Sequence, residues 1–203
     1  MISTVNICNM ALSKIGQPQI TGLEENSQAA RHCRNHFDLD RDSVLSSFPW
    51  TFATHVEKLV RVLMNSPLPG FAYAYKKPPD ALRLIRLINP DASISKINAN
   101  EAQIENYREI SHDDMSLILS NIAGALIEYI SRVTDPALWD SLFCEALVLK
   151  LAGSLASAIS GSGQRTAEFN ALYEQSLLRG KIANANNDSP PVRSPTTLRD
   201  SRR

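Results

Sequence analysis

The stretch DPALWDSLFCEALVLKLAGSLASAISG, from Asp135 to Gly161, decides the fold of this chain. Asp135 is a good N-cap residue and Pro136 suits the first position of a helix, so a long helix is predicted to begin there and to end at Gly161. Its apolar residues form two stripes, Leu138, Leu142, Leu149 and Ala156 on one side and Phe143, Leu147, Leu151, Leu155 and Ile159 on the other. A helix that is apolar on two sides is buried on both, either inside a bundle or against a neighbouring subunit.

Four further helices are predicted from apolar periodicity and end signals. The first runs from Ser3 to Gly16, where glycine allows a left-handed stop. The second runs from Ser27 to Phe48, because Pro49 disfavours helical geometry at the residue before it. A short helix is expected from Phe52 to Leu63, and a last one from about Arg165 to Ala185.

The middle of the chain has a different pattern. Tyr73 and Tyr75 alternate with smaller residues, and the run from Leu82 to Ile88 continues this strand-like character. Ile85 breaks the strict alternation and indicates a bulge. From Ile104 to Val133 the apolar spacing fits a helix, whereas the β-branched and aromatic content fits strands, so the residues alone leave this segment open.

Composition restricts the class of protein. The chain has 203 residues, a formal net charge of zero and an apolar fraction of 43%, which suits one globular core and gives no overall field that would attract nucleic acid or an anionic membrane. The three cysteines are widely spaced and form no metal or redox motif, which suits a reducing place of synthesis. The N-terminus does not resemble a signal peptide, and polar residues interrupt the longest apolar run, so we expect no membrane span.

Two short motifs resemble metal sites. His32 and His36 have the i, i+4 spacing of zinc-binding helices, but Cys33 replaces the catalytic glutamate and no third ligand is evident. The segment Asp38–Asp42 resembles the start of a calcium loop, but Ser43 stands where glycine is needed. Packing or surface roles are therefore favoured for both motifs, and no catalytic, cofactor or metal site is predicted.

Two aromatic groups could be partner anchors or core residues. Trp50 lies between Phe48 and Phe52, and exposed tryptophans often dominate interfaces. Core packing is favoured for this group, because a large aromatic side chain beside a chain turn usually fills the junction of two helices. The same two interpretations apply to Tyr73 and Tyr75.

The C-terminal segment from Asn187 to Arg203, NDSPPVRSPTTLRDSRR, has too few apolar residues to fold alone. We predict that it is an extended arm. Its four arginines outweigh its two aspartates, so it could lie in an acidic groove or contact DNA phosphates. A terminus without a partner is the alternative.

Three separate blocks carry a resemblance to a known family. They are FPWTFA at Phe48–Ala53, YAYKKPPD at Tyr73–Asp80 and YISRVTDP at Tyr129–Pro136, and they occur in this order between the first helix and the long helix. In this order the chain, from Val5 to about Ala185, resembles the tail tubular protein A family of bacteriophage head-to-tail adaptors. The resemblance implies a structural protein of the virion that is not an enzyme and is made in the host cytoplasm. It further implies a ring, expected to have twelve copies and to lie between the portal and the tail nozzle, with DNA passing through its channel.

The resemblance also completes the fold prediction. It implies a β-rich insert, so strands are expected for the open segment from Ile104 to Val133. The predicted class is α+β, mainly an α-helical bundle with a β-rich insert and an extended C-terminal arm. The bundle comprises residues 1–66 and 135–186, the insert residues 67–134 and the arm residues 187–203.

Partners can be assigned to residues on the same basis. Among the apolar residues of the long helix, Phe143, Leu147, Leu151 and Leu155 are expected to contact the neighbouring subunit of the ring. Tyr73 and Tyr75 of the insert are expected to contact the nozzle or another distal tail protein. The arm is expected to bind the portal protein through Arg193, Leu198, Arg199, Arg202 and Arg203. No cofactor, metal, membrane or specific DNA contact is implied.

Two other classes of function remain open at this stage. A nucleic-acid-binding module would use the arginines of the arm together with Arg31, Arg34 and Arg41 of the second predicted helix, and would bind duplex DNA with strong salt dependence. A metalloenzyme would use His32 and His36 as ligands. Zero net charge favours the adaptor over the DNA-binding module.

Overall fold

The computed structural model describes residues 2–63, 66–91, 107–161 and 163–187. These residues form four α-helices, α1 (Thr4–Lys14), α2 (Gln28–Ser47), α3 (Ser141–Ser160) and α4 (Gly163–Asn187). They also form seven strands, β1 (Thr54–Lys58), β2 (Arg61–Val62), β3 (Tyr73–Lys76), β4 (Ala81–Ile88), β5 (Arg108–His112), β6 (Met115–Ser120) and β7 (Leu126–Ser131). The protein is therefore of mixed α+β class, as predicted.

The ends of α1 and α2 follow their local sequence signals. The hydroxyl oxygen of Ser3 accepts a hydrogen bond from the backbone N–H of Asn6 at the start of α1, and Gly16 follows the helix with a φ of 73°. Ser27 caps α2 in the same way, and Phe48 leaves the helix in an extended conformation before Pro49. Both predicted helices are confirmed because their ends depend on residues close in sequence.

The start of α3 differs from the prediction. Asp135 accepts a backbone hydrogen bond, but only within a 3-10 turn at Pro136–Leu138. The helix itself begins at Ser141, where the Asp140 carboxylate accepts a hydrogen bond of 2.6 Å from the backbone N–H of Phe143. Two aspartates with the same capping chemistry lie five positions apart, and the sequence favoured the one beside proline.

The side chain of Trp139 accounts for the interruption before α3. It is buried, and its indole N–H donates to the carbonyl oxygen of Val133 at 3.1 Å. The chain is extended at Trp139, so the turn cannot continue directly into the helix. The predicted end of α3 is confirmed, because Gly161 adopts a φ of 60°.

Helix α3 is the central element of the larger hydrophobic core, since it contacts α1, α2 and α4. Cys8 of α1 and Cys33 of α2 are fully buried in this core, as small hydrophobic residues would be. By length and composition Ser141–Ile159 could cross a membrane, but most of it is buried within the protein. Buried core helices commonly have this composition, so the burial favours a core role.

The strands form two antiparallel sheets. One has the order β1-β7-β4 and the other the order β2-β3-β6-β5. The predicted short helix from Phe52 to Leu63 is wrong, because only a 3-10 turn at Thr51–Ala53 precedes β1. Pairing of β1 with β7, from Thr54 opposite Ile130 to Lys58 opposite Leu126, overrides the local helical pattern. The strand-rich part accordingly begins at Thr54 and not at residue 67.

The two sheets pack face to face around a second, smaller core. The core contains Leu87 and Ile127 from the first sheet and Tyr75 and Ile118 from the second. The opposite face of the first sheet meets the helices, since Ile130 belongs to the larger core. Strand β4 has register shifts between Ala81 and Arg83 and between Leu84 and Arg86, and the second shift confirms the irregularity predicted at Ile85. The described parts of residues 104–133 form β5, β6 and β7, so the expectation of strands is also confirmed.

The aromatic residues before β1 lie in the larger core. Trp50 is only 2% exposed, its indole N–H donates to the carbonyl oxygen of Val44, and its ring meets the ring of Phe143 edge to face at 5.4 Å. Gly180 of α4 also lies against the indole ring. A Cβ atom added at this position would be 3.3 Å from the nearest ring carbon. Core packing, the favoured interpretation of Trp50, is therefore correct.

The two candidate caps of α3 can be distinguished by mutation. Asp140→Ala should lower the free energy of unfolding by about 1 kcal/mol, because it removes the N-cap of the central helix. Asp135→Ala removes a bond only from the 3-10 turn and should cost clearly less. Urea unfolding of both variants measures the difference, and a larger loss for Asp135→Ala would contradict the observed helix start.

Gly180→Ala tests the close contact between α4 and Trp50. Alanine favours a helix over glycine by about 1 kcal/mol, but overpacking a rigid core costs roughly 1 to 3 kcal/mol. Because Trp50 is enclosed by other aromatic rings, we expect a net loss of about 1 kcal/mol in thermal unfolding. Gly163→Ala is the matched control, since a Cβ atom there meets nothing within 4 Å in the described residues. A stabilised Gly180→Ala variant would show that the contact is loose.

Candidate interaction surfaces

The residues predicted to contact a neighbouring subunit lie inside the protein. Phe143, Leu147, Leu151 and Leu155 are all fully buried in the larger core. The second apolar side of α3 is covered by helices of the same chain, so the folded protein cannot present these four side chains to another subunit. The prediction for them is corrected accordingly.

The two tyrosines predicted to contact a distal partner differ from each other. Tyr75 is fully buried, and its hydroxyl donates to the carbonyl oxygen of Ile122. Tyr73 is half-buried, and the guanidinium of Arg61 lies over its ring at 4.8 Å from the centroid. Only Tyr73 can therefore contact a partner without unfolding, and for Tyr75 the prediction is corrected.

The residues of the arm lie outside the described part of the chain. Arg193, Leu198, Arg199, Arg202 and Arg203 all follow Asn187, where the described residues end. The predicted portal contact through these residues therefore stays a prediction.

The basic face proposed for α2 is reduced by pairing within the chain. Arg41 is buried and forms ion pairs with Asp38 at 2.7 Å and Asp42 at 2.8 Å. Arg34 lies 3.3 Å from Glu24, and Arg31 is exposed. Of the three arginines, Arg41 thus forms ion pairs inside the protein and Arg34 forms an ion pair at the surface.

The two motifs that resembled metal sites are parts of α2. The segment Asp38–Asp42 is helical, and its outer carboxylates pair with Arg41, so it does not have the form of a calcium loop. Among the described residues, no group of three or more histidine, cysteine, aspartate or glutamate side chains could hold a metal ion. His32 and His36 are half-buried, and His36 faces a cleft beside Asp40.

The cleft beside Asp40, which we call the Asp40 cleft, lies between α2, α3 and α4 and has a volume of about 490 Å³. It is lined by His36, Lys150, Gly153, Ser154, Ser157, Ala158, Thr166 and Asn170. Asp40 itself is 4% exposed, and its Oδ1 accepts a hydrogen bond of 3.1 Å from the hydroxyl of Ser154. Its Oδ2 has no hydrogen-bond partner among the described residues.

Burial has the largest effect on the pKa of Asp40. Burial raises the pKa of Asp40 above its ordinary value, and the Ser154 hydrogen bond and the charges of Lys150 and His36 oppose this effect. The ammonium group of Lys150 lies 5.4 Å from the ring centroid of Tyr173. A buried carboxyl group without full hydrogen bonding costs stability, so this site is a strained point between α2 and α3.

A concave surface larger than the Asp40 cleft lies between α1 and α3, and we call it the α1–α3 groove. Its volume is about 830 Å³. Cys144 and Val148 of α3 lie at its base, and Ile2 and Met10 line it at 37% and 41% exposure. Burial raises the pKa of the Cys144 thiol to about 11, so this cysteine is a neutral apolar group. The groove is therefore a mainly apolar surface of the size that binding sites have.

The groove was missed by sequence reasoning. Most of its residues come from α1 and α3, which are far apart in the chain, and apolar periodicity along one helix does not show which surfaces of two helices lie together. The available signal was Met10, an apolar residue of the first predicted helix that lies off its buried face.

No known protein-family model matches the chain, and a search of curated proteins finds no match either.

Asp40→Asn should stabilise the protein at neutral pH. Because the folded-state pKa of Asp40 is raised, the stability linked to its neutral form is complete below the unfolded-state pKa and is lost as the pH rises through the folded-state pKa. Asparagine is neutral throughout, so the variant should gain about 1 kcal/mol at pH 7. The gain should shrink towards pH 4, near the ordinary pKa of aspartate.

Urea unfolding at the two pH values measures this effect. Asp114→Asn, an exposed residue of the turn between β5 and β6, is the control and should change stability little at either pH. An Asp40→Asn variant that is less stable than the parent protein at pH 7 would mean that the charged carboxylate is stabilised by its surroundings.

Proposed function

We propose that the protein is a structural head-to-tail adaptor of a tailed bacteriophage. In this proposal it assembles as a ring, expected to be a dodecamer, between the portal and the tail nozzle or another distal tail protein. DNA passes through the channel of the ring without specific binding. The protein acts in the virion at the head–tail junction, is made in the host cytoplasm, and has no enzymatic activity and no cofactor.

The observation that carries the proposal concerns the three sequence blocks behind the resemblance, which are far apart in sequence but meet in space. The hydroxyl of Ser131, in the third block, lies 3.3 Å from the carbonyl oxygen of Ala53, in the first block, and donates to it. The backbone N–H of Arg132, also in the third block, donates to the carbonyl oxygen of Asp80, in the second block, at 2.8 Å. A set of residues that converges on one junction supports a shared structural unit better than scattered matches would.

The chemistry of this junction is structural. The hydroxyl of Tyr129 lies 3.4 Å from the carboxylate of Asp80, and burial together with this carboxylate raises the pKa of Tyr129 to about 12. Arg132 also forms an ion pair of 2.8 Å with Asp42 of α2. These contacts tie the sheets to the helices, which is what a component that transmits load between two assemblies requires.

In the proposed adaptor, the four helices form the bundle, the two sheets form the insert, and residues 187–203 form the arm. The bundle would face the portal and the sheets the distal tail protein. Because Phe143 and its neighbours are buried, the contact between subunits must use exposed side chains. Leu178 and Ile182 of α4, each 57% exposed, are the apolar candidates beside the arm.

The competing proposal is a DNA-binding module. It is weakened by the commitment of Arg41 to Asp38 and Asp42 inside the fold. It predicts tight binding of duplex DNA at low salt that falls steeply with added salt, whereas an adaptor should bind DNA weakly at physiological salt.

Native mass spectrometry of the purified protein, alone and mixed with portal rings from the same phage, tests the adaptor proposal. We expect a ring of subunits, either free or formed only on the portal, because a template raises the local concentration of subunits. A protein that stays monomeric and ignores the portal, yet binds DNA with a steep salt dependence, would overturn the proposal.

A variant with Arg199→Ala, Arg202→Ala and Arg203→Ala examines the arm in the same experiment. It should bind the portal more weakly than the parent protein. Arg31→Ala, which removes an exposed arginine of α2, is the matched control and should bind normally.

A further inference from the structure

We propose that the α1–α3 groove binds the C-terminal segment of the same chain, residues 188–203. The groove offers an apolar surface on a scale that a short extended peptide can fill, with Met10 and Ile2 as its most exposed apolar side chains. Methionine adapts its shape to irregular partners, so Met10 suits a segment without regular secondary structure. An uncovered apolar groove of this size is unfavourable in water, and a segment of the chain itself is always at hand to cover it.

The position of the segment favours this occupant. Helix α4 ends at Asn187, and the guanidinium of Arg179 lies 3.6 Å from the carboxylate of Glu145, which lines the groove. Asn187 is roughly 12 Å, about two helical turns, beyond Arg179. The segment therefore starts roughly two helical turns from a residue that lines the groove, and an extended chain of its length can reach roughly 50 Å. Attachment gives it a high effective concentration at the groove.

The chemistry of the segment fits the groove. Its apolar residues are Pro190, Pro191, Val192, Pro195 and Leu198. Proline favours the extended polyproline conformation, which leaves the backbone polar groups free and loses little entropy on binding. The exposed side chains of Asn6 and Gln19 can hydrogen-bond such a backbone, and Glu145 can pair with Arg193.

The polar side chains of the groove differ in whether they can contact the segment. Asn9 is already engaged, since its amide group exchanges two hydrogen bonds with the backbone of Ile20. Glu145 is half exposed and its pair with Arg179 is long, so it can exchange one guanidinium for another at little cost. Lys14 lies in the same lining and can pair with Asp188 or Asp200 of the segment.

If the protein has the proposed function, docking of the arm in the groove would compete with binding of the arm to the portal. The residues assigned to the groove overlap those expected to bind the portal, so one arm cannot do both at once. Docking in the groove would hold the arm on its own subunit before assembly, and the portal would have to displace it. The apparent dissociation constant for the portal would then equal that of a free arm divided by the fraction of arms that are not docked.

Photo-crosslinking of the full-length protein, without any portal, tests the inference. One variant carries p-benzoylphenylalanine in place of Met10, and the control carries it in place of Leu39, which is 71% exposed on α2. After illumination and digestion, mass spectrometry identifies the linked peptides. Mixing isotope-labelled with unlabelled protein distinguishes links within one chain from links between two copies.

We expect the Met10 position to crosslink to residues 188–203 of the same chain, and the Leu39 position to give clearly fewer such links. Equal yields at the two positions, or links from the Met10 position to a second copy, would overturn the inference. A variant labelled at Ile2 serves as a second position if the Met10 variant does not match the thermal unfolding of the parent protein. Because no portal is present, failure here leaves the adaptor proposal untouched.

Trypsin gives an independent readout of the same contact. Docking should protect the bond after Arg193, and Met10→Glu should release the segment by placing a charge in the apolar groove. Cleavage after Arg193 should then be several-fold faster in Met10→Glu than in the parent protein, and unchanged in the control Leu39→Glu. Equal cleavage rates in all three proteins would contradict docking.

Discussion

Burial of most of α3 is the constraint on which the rest of this structure depends. Its apolar residues extend around the helix, so α1, α2 and α4 must each cover part of it. Phe143 then meets the aromatic ring of Trp50 edge to face, which fixes where the chain leaves α2. Gly180 leaves room for that ring on α4. The position of the first sheet follows, because β1 begins directly after this aromatic turn.

The second constraint is the junction of β7 with its surroundings. Arg132 reaches Asp42 on α2 through its side chain and Asp80 through its backbone, so one residue joins the helices to the loop before β4. The buried Arg41 shares Asp42 with it, and pairing of a buried arginine with two carboxylates is more favourable than leaving any of the three alone. This polar junction orients the sheets, while the apolar cores supply most of the stability.

The sequence was sufficient where short-range chemistry decides. Ser3, Ser27 and Gly16 fixed helix ends because capping involves residues within one turn. It failed where a distant partner decides. β1 is a strand because β7 lies beside it, and Tyr75 is inaccessible because the second sheet packs on the first. The apolar pattern correctly predicted that α3 is buried on two sides. It could not show whether the residues that bury each side belong to the same chain or to a neighbouring subunit.

Because α3 is buried by helices of its own chain, a ring of such subunits must be held together by other surfaces. Outside the α1–α3 groove and the pair Leu178 and Ile182 on α4, the exposed large apolar residues of the described part, such as Leu39 and Val60, are dispersed over different elements. Dispersed apolar residues give small interfaces, and small interfaces need a second source of affinity. In the proposed adaptor that source is the portal, which presents many sites at once and turns weak subunit contacts into intramolecular ones. An arm that is released from the groove only at the portal would confine ring formation to that surface, because free subunits would lack both the template and the arm.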